Sequence, residues 1–279
     1  MGRVCYNGRV PGAAEPPSSH DWSAVRFVLC DLDGVVWLSR HAIPGAPEAI
    51  ARLRASGRRV MFVTNNSFSL LADQEQALAA IGIPAVGDVV TSAQAGAFLV
   101  EAGETVLVCG GPGVYEAVTA RGAKPVPDGK ADAVIVGFHR DFDYERMRIA
   151  SAAVRDGARL LATNDDATYP TSDGLIPGGG AILASVTTAS GVAATIAGKP
   201  YAPMADLVRE RCGPEFSNRT AVMVGDRWST DGLFAEALDC PFALVRTGVT
   251  PRGAALDATP ALDLPDLAAV ADVITGERS

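Results

Sequence analysis

The chain has 279 residues, enough for one large or two ordinary domains, and 48% hydrophobic with 20% charged residues is the composition of a folded protein. A formal charge of −8 argues against nucleic acid or an anionic membrane as the main partner, so an anion would have to be held by a local metal or backbone site. Five scattered cysteines, an odd number without a CxxC, fit a reducing cytoplasm better than a disulfide framework.

Residues 1–23 hold Gly, Pro and Ser with no apolar stretch of signal-peptide length, and read as a flexible arm. Apolar, β-branched runs of strand length follow at 27–30, 60–64, 105–109, 133–138, 158–163, 221–225 and 242–245. Helical patterns lie between them at Ala46–Ser56, Leu70–Ile81, Tyr144–Asp156 and Met204–Cys212. Strands alternating with helices predict parallel sheets covered on both faces, with ligands beyond the carboxyl ends of the strands. Residues 175–198 carry no charge and are long enough to span a bilayer, but their glycines, proline and hydroxyls favour a buried helix stopping at Gly191, then a buried strand.

Four of these strands end in polar clusters: CDLDG (30–34), TNNS (64–67), AGKP (197–200) and GDRWSTD (225–231). The first two lie early and the last two late, and the stretch between has its own strand–helix alternation. That pattern predicts a domain inserted near 96–195 into a core made of 24–95 and 196–279.

Each cluster taken alone has a bland reading. TNNS would cap a helix, Lys199 would sit in a turn, and Asp226 and Asp231 would complement a helix dipole. Jointly they make a phosphoryl-transfer site. A carboxylate attacks phosphorus, and a second carboxylate two residues on protonates the leaving oxygen and then activates water. A hydroxyl and a lysine hold the phosphoryl oxygens, and hard carboxylates bind Mg²⁺.

The motifs resemble those of haloacid dehalogenase-superfamily phosphatases, in the branch of NagD-type nucleotidases, p-nitrophenyl phosphatases, chronophin and phosphoglycolate phosphatases. DLDGVVW, TNNS, GKP and GDRWSTD resemble its four ordered motifs. The likeness extends through IPGAPEAI (43–50), ATNDDATYPTSDGLIPGGGAIL (162–183) and LVRTGVTP (244–251). It implies an α/β fold: a Rossmann-like, doubly wound parallel-sheet core with an inserted α/β cap of the large C2 type. It implies that Asp31 is the nucleophile and a Mg²⁺ ligand, and that Asp33 is the acid/base and binds the metal through its carbonyl. Thr64, Asn65 and Asn66 would hold the phosphoryl group, and Lys199 would pair with it and with Asp31. Asp226 would complete the metal ligands, with Asp231 supporting a metal-bound water from behind.

From the cap, Asn164, Asp166, Tyr169 and the Gly178–Gly180 loop would face the substrate, although a Tyr before Pro is also a common packing residue. His139 departs from the acid that relatives often carry after the corresponding strand. The cysteine usage points to the cytoplasm, and the resemblance implies a homodimer paired through its caps. It also implies hydrolysis of a small phosphorylated metabolite: glycerol phosphate, phosphoglycolate, a nucleoside monophosphate or p-nitrophenyl phosphate. No nucleic acid or membrane partner is expected.

Three other readings compete. Cys240 to Arg246 has the C-x5-R spacing of a cysteine phosphatase, but PFALV between them reads as a buried strand rather than a phosphate loop. Gly111-Pro112-Gly113 starts a dinucleotide fingerprint, yet Glu116 stands where its third glycine belongs. A phosphate-ligand sensor would keep the fold but would not need both Asp31 and Asp33.

Overall fold

The structure, a computed structural model, describes residues 20–171, 174–256 and 258–277. Residues 1–19 of the expected arm lie outside the described residues. Just before residue 24, Asp21 caps a 3₁₀ turn at Trp22–Ala24, and Trp22 packs against the core.

In chain order the elements begin with β1 (Phe27–Cys30), β2 (Trp37–Leu38), β3 (His41–Ala42), α1 (Ala46–Ala55), β4 (Arg59–Thr64), α2 (Leu71–Ala80), β5 (Val89–Thr91) and α3 (Ser92–Phe98). The middle of the chain forms β6 (Thr105–Cys109), α4 (Pro112–Ala120), β7 (Lys124–Val126), β8 (Ala133–Val136), α5 (Tyr144–Arg155), β9 (Arg159–Ala162), β10 (Thr168–Thr171), β11 (Gly174–Pro177), α6 (Gly179–Ser190) and β12 (Thr195–Ile196). It closes with α7 (Ala202–Cys212), β13 (Ala221–Gly225), α8 (Leu233–Leu238), β14 (Phe242–Val245), β15 (Leu262–Leu264) and α9 (Leu267–Thr275).

Two parallel sheets result. The first has the order β15-β14-β13-β1-β4-β5 and the second β12-β9-β8-β6-β7, so strands of the second all come from the middle of the chain. This is the expected doubly wound core with an inserted α/β cap. Alternation along β1 shows why its run is evenly apolar: Val28 and Cys30 pack into one buried layer, Phe27 and Leu29 into another. The second sheet is sandwiched likewise, with Val134 and Val136 on one side and Ala133 and Ile135 on the other.

The uncharged stretch resolves into β11, then α6, ended by Gly191 in the left-handed conformation (φ 75°), then β12. No described helix is long and apolar enough to cross a membrane.

Strand order reverses between β1 and β13. From β1 the chain builds outward through β4 and β5, then returns to β13 and continues to β14 and β15 on the other side. The crevice at such a switch point, beyond the strand ends, is where open α/β sheets bind ligands. Asp31 and Asp226 each follow directly on one of these two strands.

Candidate active site

Asp31 extends β1 by one residue, its N–H donating to the Val224 carbonyl at 2.9 Å. The chain then turns sharply: Val36 and Trp37 both donate to the Leu32 carbonyl, and Gly34 donates to the Trp37 carbonyl. Gly34 has φ 88°, and a Cβ there would lie 2.9 Å from the Gly248 Cα and run into the Asp226 carboxylate. The glycine of DxDG therefore lets two loops and a carboxylate meet closely.

Asp226 is 4% exposed and accepts a hydrogen bond from the Val249 N–H. Burial, and then the neighbouring Asp231 charge, raise its carboxyl to about 6. Asp231 sits in a π-helical turn, Trp228–Gly232, seated over Gly225 where any side chain would collide with it. One Asp231 oxygen accepts from the backbone N–H of Asp226 (3.2 Å) and Arg227 (3.3 Å), and the other accepts from Lys199 Nζ at 2.7 Å.

Lys199 is the hub. Its Nζ also donates to Asp31 Oδ1 at 2.6 Å, and its side chain is 2% exposed. Burial works against its charge, but Asp231 and Asp31 outweigh that and raise its proton affinity, so the ammonium persists. Carboxylate oxygens of Asp31, Asp226 and Asp231 lie within 4.8 Å of one another. Three clustered acids, two of them paired with a single ammonium, leave excess negative charge in a largely buried space. A hard divalent cation fits that donor set.

At the end of the adjoining strand β4, Thr64 is 4% exposed and its Oγ1 accepts from the Asn66 N–H at 3.1 Å. The Asn66 side chain caps its own loop, accepting from Phe68 N–H (3.0 Å) and Ser69 N–H (3.1 Å). The Asn65 amide is tied on both sides. Its Oδ1 accepts from Lys199 N–H (2.8 Å), and its Nδ2 donates to the Lys199 carbonyl (3.0 Å) and to Asp166 Oδ2 (3.1 Å).

Two of the cap residues expected to face substrate, Asn164 and Asp166, make contacts to this loop. Besides the Asp166 contact, Asn164 Nδ2 donates to the Asn65 carbonyl at 2.9 Å, where Ser92 Oγ also donates at 2.7 Å. Thr163 Oγ1 donates to Ser67 Oγ at 3.0 Å, a third link between the inserted segment and TNNS. Tyr169 stacks on Phe138 and feels the Asp33 charge. Burial raises its phenol's proton affinity, and the Asp33 charge adds to that. Asp33 is exposed, and desolvation by its surroundings raises its carboxyl.

Sequence reasoning missed Ser92, Gly248 and the aromatic neighbours of Tyr169. Only Gly248 carried a signal, lying in the family-like LVRTGVTP. Phe138 stacks on Tyr169 (ring centroids 5.5 Å apart, 20° between planes), and Phe68 meets Phe138 edge-on at 5.9 Å.

The competing motifs find other uses. Phe242–Val245 is the buried strand β14, burial raises the Cys240 thiol to about 12, and Arg246 pairs with Asp263 at 2.6 Å. Such a thiol is not a nucleophile. Gly111 and Gly113 lie where a Cβ would strike Phe68 and the Ser67 and Ser69 carbonyls, and Glu116 Oε2 accepts from Leu71 N–H at 2.8 Å. That segment is a close joint between the two sheets' loops.

A haloacid dehalogenase-like hydrolase model matches residues 28–124, and a second, HAD-hydrolase-like model matches 196–270. The D-glycerol 3-phosphate phosphatase of Mycobacterium tuberculosis is 38% identical, over 84% of this chain and 66% of its own length, so the chain spans just under two thirds of that relative. The acid sugar phosphatase of Staphylococcus saprophyticus is 36% identical, over 80% of this chain and 87% of its own length. Among solved structures, a glycerol phosphate phosphatase from M. tuberculosis in complex with magnesium superposes with a TM-score of 0.76 at 34% identity, covering 82% of this chain and 71% of that one.

Proposed function

The chain belongs to the haloacid dehalogenase-like hydrolases and is a phosphoric monoester hydrolase, and on that premise we propose that it cleaves small phosphate monoesters with Mg²⁺ through an aspartyl-phosphate on Asp31. One observation carries the reading: three carboxylates converge within 4.8 Å beside one buried lysine, at the strand ends flanking the switch point.

Lys199 holds Asp31 with one oxygen engaged, which leaves the other to attack phosphorus. Asp33 stands two residues further along the loop, and its raised proton affinity suits a group that donates a proton to the leaving oxygen. As its conjugate base it then takes a proton from the water that hydrolyses the acyl phosphate. The Thr64 hydroxyl and free N–H groups of its loop would hold phosphoryl oxygens. Asp31, Asp226 and the Asp33 carbonyl would hold Mg²⁺, which supplies positive charge against the repulsion between anionic nucleophile and anionic ester. Asp231 fixes Lys199 and would support a metal-bound water from behind these ligands. The Asn65 amide, held by Lys199 and Asp166, and the Asn65 main-chain carbonyl, held by Asn164, keep TNNS in register with Lys199.

Residues 96–195 are taken as the cap, which would close over the mouth and exclude water. The substrate is a small metabolite of the glycerol phosphate, phosphoglycolate, nucleoside monophosphate or p-nitrophenyl phosphate kind. A cytoplasmic homodimer paired through the caps completes the reading, and a light-scattering mass of one chain would refute the pairing. The activity is tested with a panel of phosphate monoesters. Chelation is expected to abolish turnover and Mg²⁺ to restore it, whereas full turnover by metal-free enzyme would contradict the reading.

A further inference from the structure

Lys199 is held by its main chain as well as by its ion pairs, and that main chain leans on the cap. Strand β12 forms one edge of the cap sheet, pairing Thr195 with Leu161 and Ile196 with Ala162 of β9. The ladder runs one residue further, Ala197 N–H donating to the Ala162 carbonyl at 2.8 Å, and Lys199 follows two residues later. Gly198 between them is seated on the end of β9, where a Cβ would strike the Thr163 carbonyl and Asn65 Oδ1. Beyond the lysine, Tyr201 Oη donates to Asp165 Oδ2.

Between these anchors one side chain grips the Lys199 main chain. Asn65 Oδ1 accepts from its N–H at 2.8 Å, and Asn65 Nδ2 donates to its carbonyl at 3.0 Å. A primary amide has a second N–H to place, and Asp166 Oδ2 accepts from Nδ2 at 3.1 Å. All three bonds are made in one orientation of the amide. Turned over, it would set N–H against the Lys199 N–H, and oxygen against both the Lys199 carbonyl and the Asp166 carboxylate. Asp166 is fixed in turn, its N–H donating to Asn164 Oδ1 at 3.2 Å, while Asn164 Nδ2 reaches the Asn65 carbonyl at 2.9 Å.

We propose that Asp166 is a positioning residue for the hydrolysis. This cap carboxylate locks the Asn65 amide and through it sets Lys199, so that the ammonium meets Asp31 and the phosphoryl group while residues 162–166 are docked on TNNS. The role rests on the function proposed above and goes beyond it: Asp166 then serves every ester alike instead of choosing among leaving groups.

The test measures kcat and KM for a panel of small phosphate monoesters under saturating Mg²⁺. Asp166→Ala should lower kcat by about 10–100-fold for every ester with KM within about twofold, the scale of loss that a small misplacement of a reacting group produces. Asp166→Asn keeps the shape and an acceptor oxygen, so it should recover most of the rate. In an Asn65→Ala background, Asp166→Ala should cost no further kcat, because the side chain it acts through is gone. Should Asp166→Ala fail to fold, Asp166→Ser, too short to reach Asn65, takes its place in the same comparisons. An unchanged kcat in a folded variant of lower melting temperature would overturn the role and leave Asp166 a structural contact. So would unequal losses across the esters, or losses that multiply in the double variant; either leaves the phosphatase reading standing. A wild type inactive on every ester would instead remove the proposed function, and this role with it.

Discussion

Replacing Lys199 by Met keeps the length of the side chain and removes its charge. In the folded protein Lys199 and Asp231 are both 2% exposed and Asp31 is 14% exposed, so the substitution strands two carboxylates where water cannot compensate them. Breaking a buried ion pair from one side costs about 3–5 kcal/mol. For a chain of this size each kcal/mol is worth about 2–4 °C, so the melting temperature should fall by roughly 6–20 °C in chelator. Asp31, whose carboxyl burial raises well above its ordinary value, holds its proton more tightly folded than unfolded, so the deficit is largest at high pH and shrinks as pH falls through that raised value. Loss of one preorganised donor to the phosphoryl group should also lower kcat by about 10²–10³ for every ester alike. Adding Asp231→Asn to Lys199→Met should recover part of the stability and none of the rate, because it removes one stranded charge and restores no donor. Differential scanning calorimetry in chelator and steady-state kinetics with Mg²⁺ read both quantities. A Lys199→Met protein melting within about 2 °C of wild type at unchanged kcat/KM would refute the reasoning.

Gly248→Ala puts a methyl group into the Asp226 carboxylate, so the Mg²⁺ concentration for half-maximal rate should rise by about 10–100-fold, read from a metal titration. Tyr169→Ala removes the ring stacked on Phe138 and should reorder substrates by kcat/KM at nearly constant Mg²⁺ requirement; a uniform fall across an ester panel would assign the ring to cap packing. Cys240→Ser should leave kcat within about twofold of wild type, since burial holds the thiol protonated at about 12.

The sheets were legible because their strands are buried on both faces and read as unbroken apolar runs. FVLC, TVLVC, AVMVG and FALV coincide with β1, β6, β13 and β14 residue for residue. Two-residue strands such as β2 and β3 are too short to show a period, and their turn, Ser39-Arg40, lacks the Asn-Gly signature that would have marked it. At the site, the sequence could mark residues that end strands, since Asp31, Thr64 and Asp226 follow directly from strand chemistry. It could not tell which side chains spend their polar atoms on one another. Asn66 satisfies its own loop, and Asn65, Asn164 and Asp166 form a joint between the sheets, through contacts spanning about a hundred positions in the chain. The Phe68–Phe138–Tyr169 stack is invisible for the same reason: its rings come from three separate segments.

The central claim is that Asp31 becomes phosphorylated, and trapping that species tests it most directly. Enzyme turning over an active ester with Mg²⁺ is acid-quenched and reduced with borohydride, which converts an acyl phosphate to the alcohol. The account predicts homoserine at position 31 in the digested protein, dependent on substrate and on Mg²⁺, and none in the Asp31→Asn variant. An active enzyme whose residue 31 is recovered only as aspartate, or whose phosphate is trapped on Cys240, would contradict it.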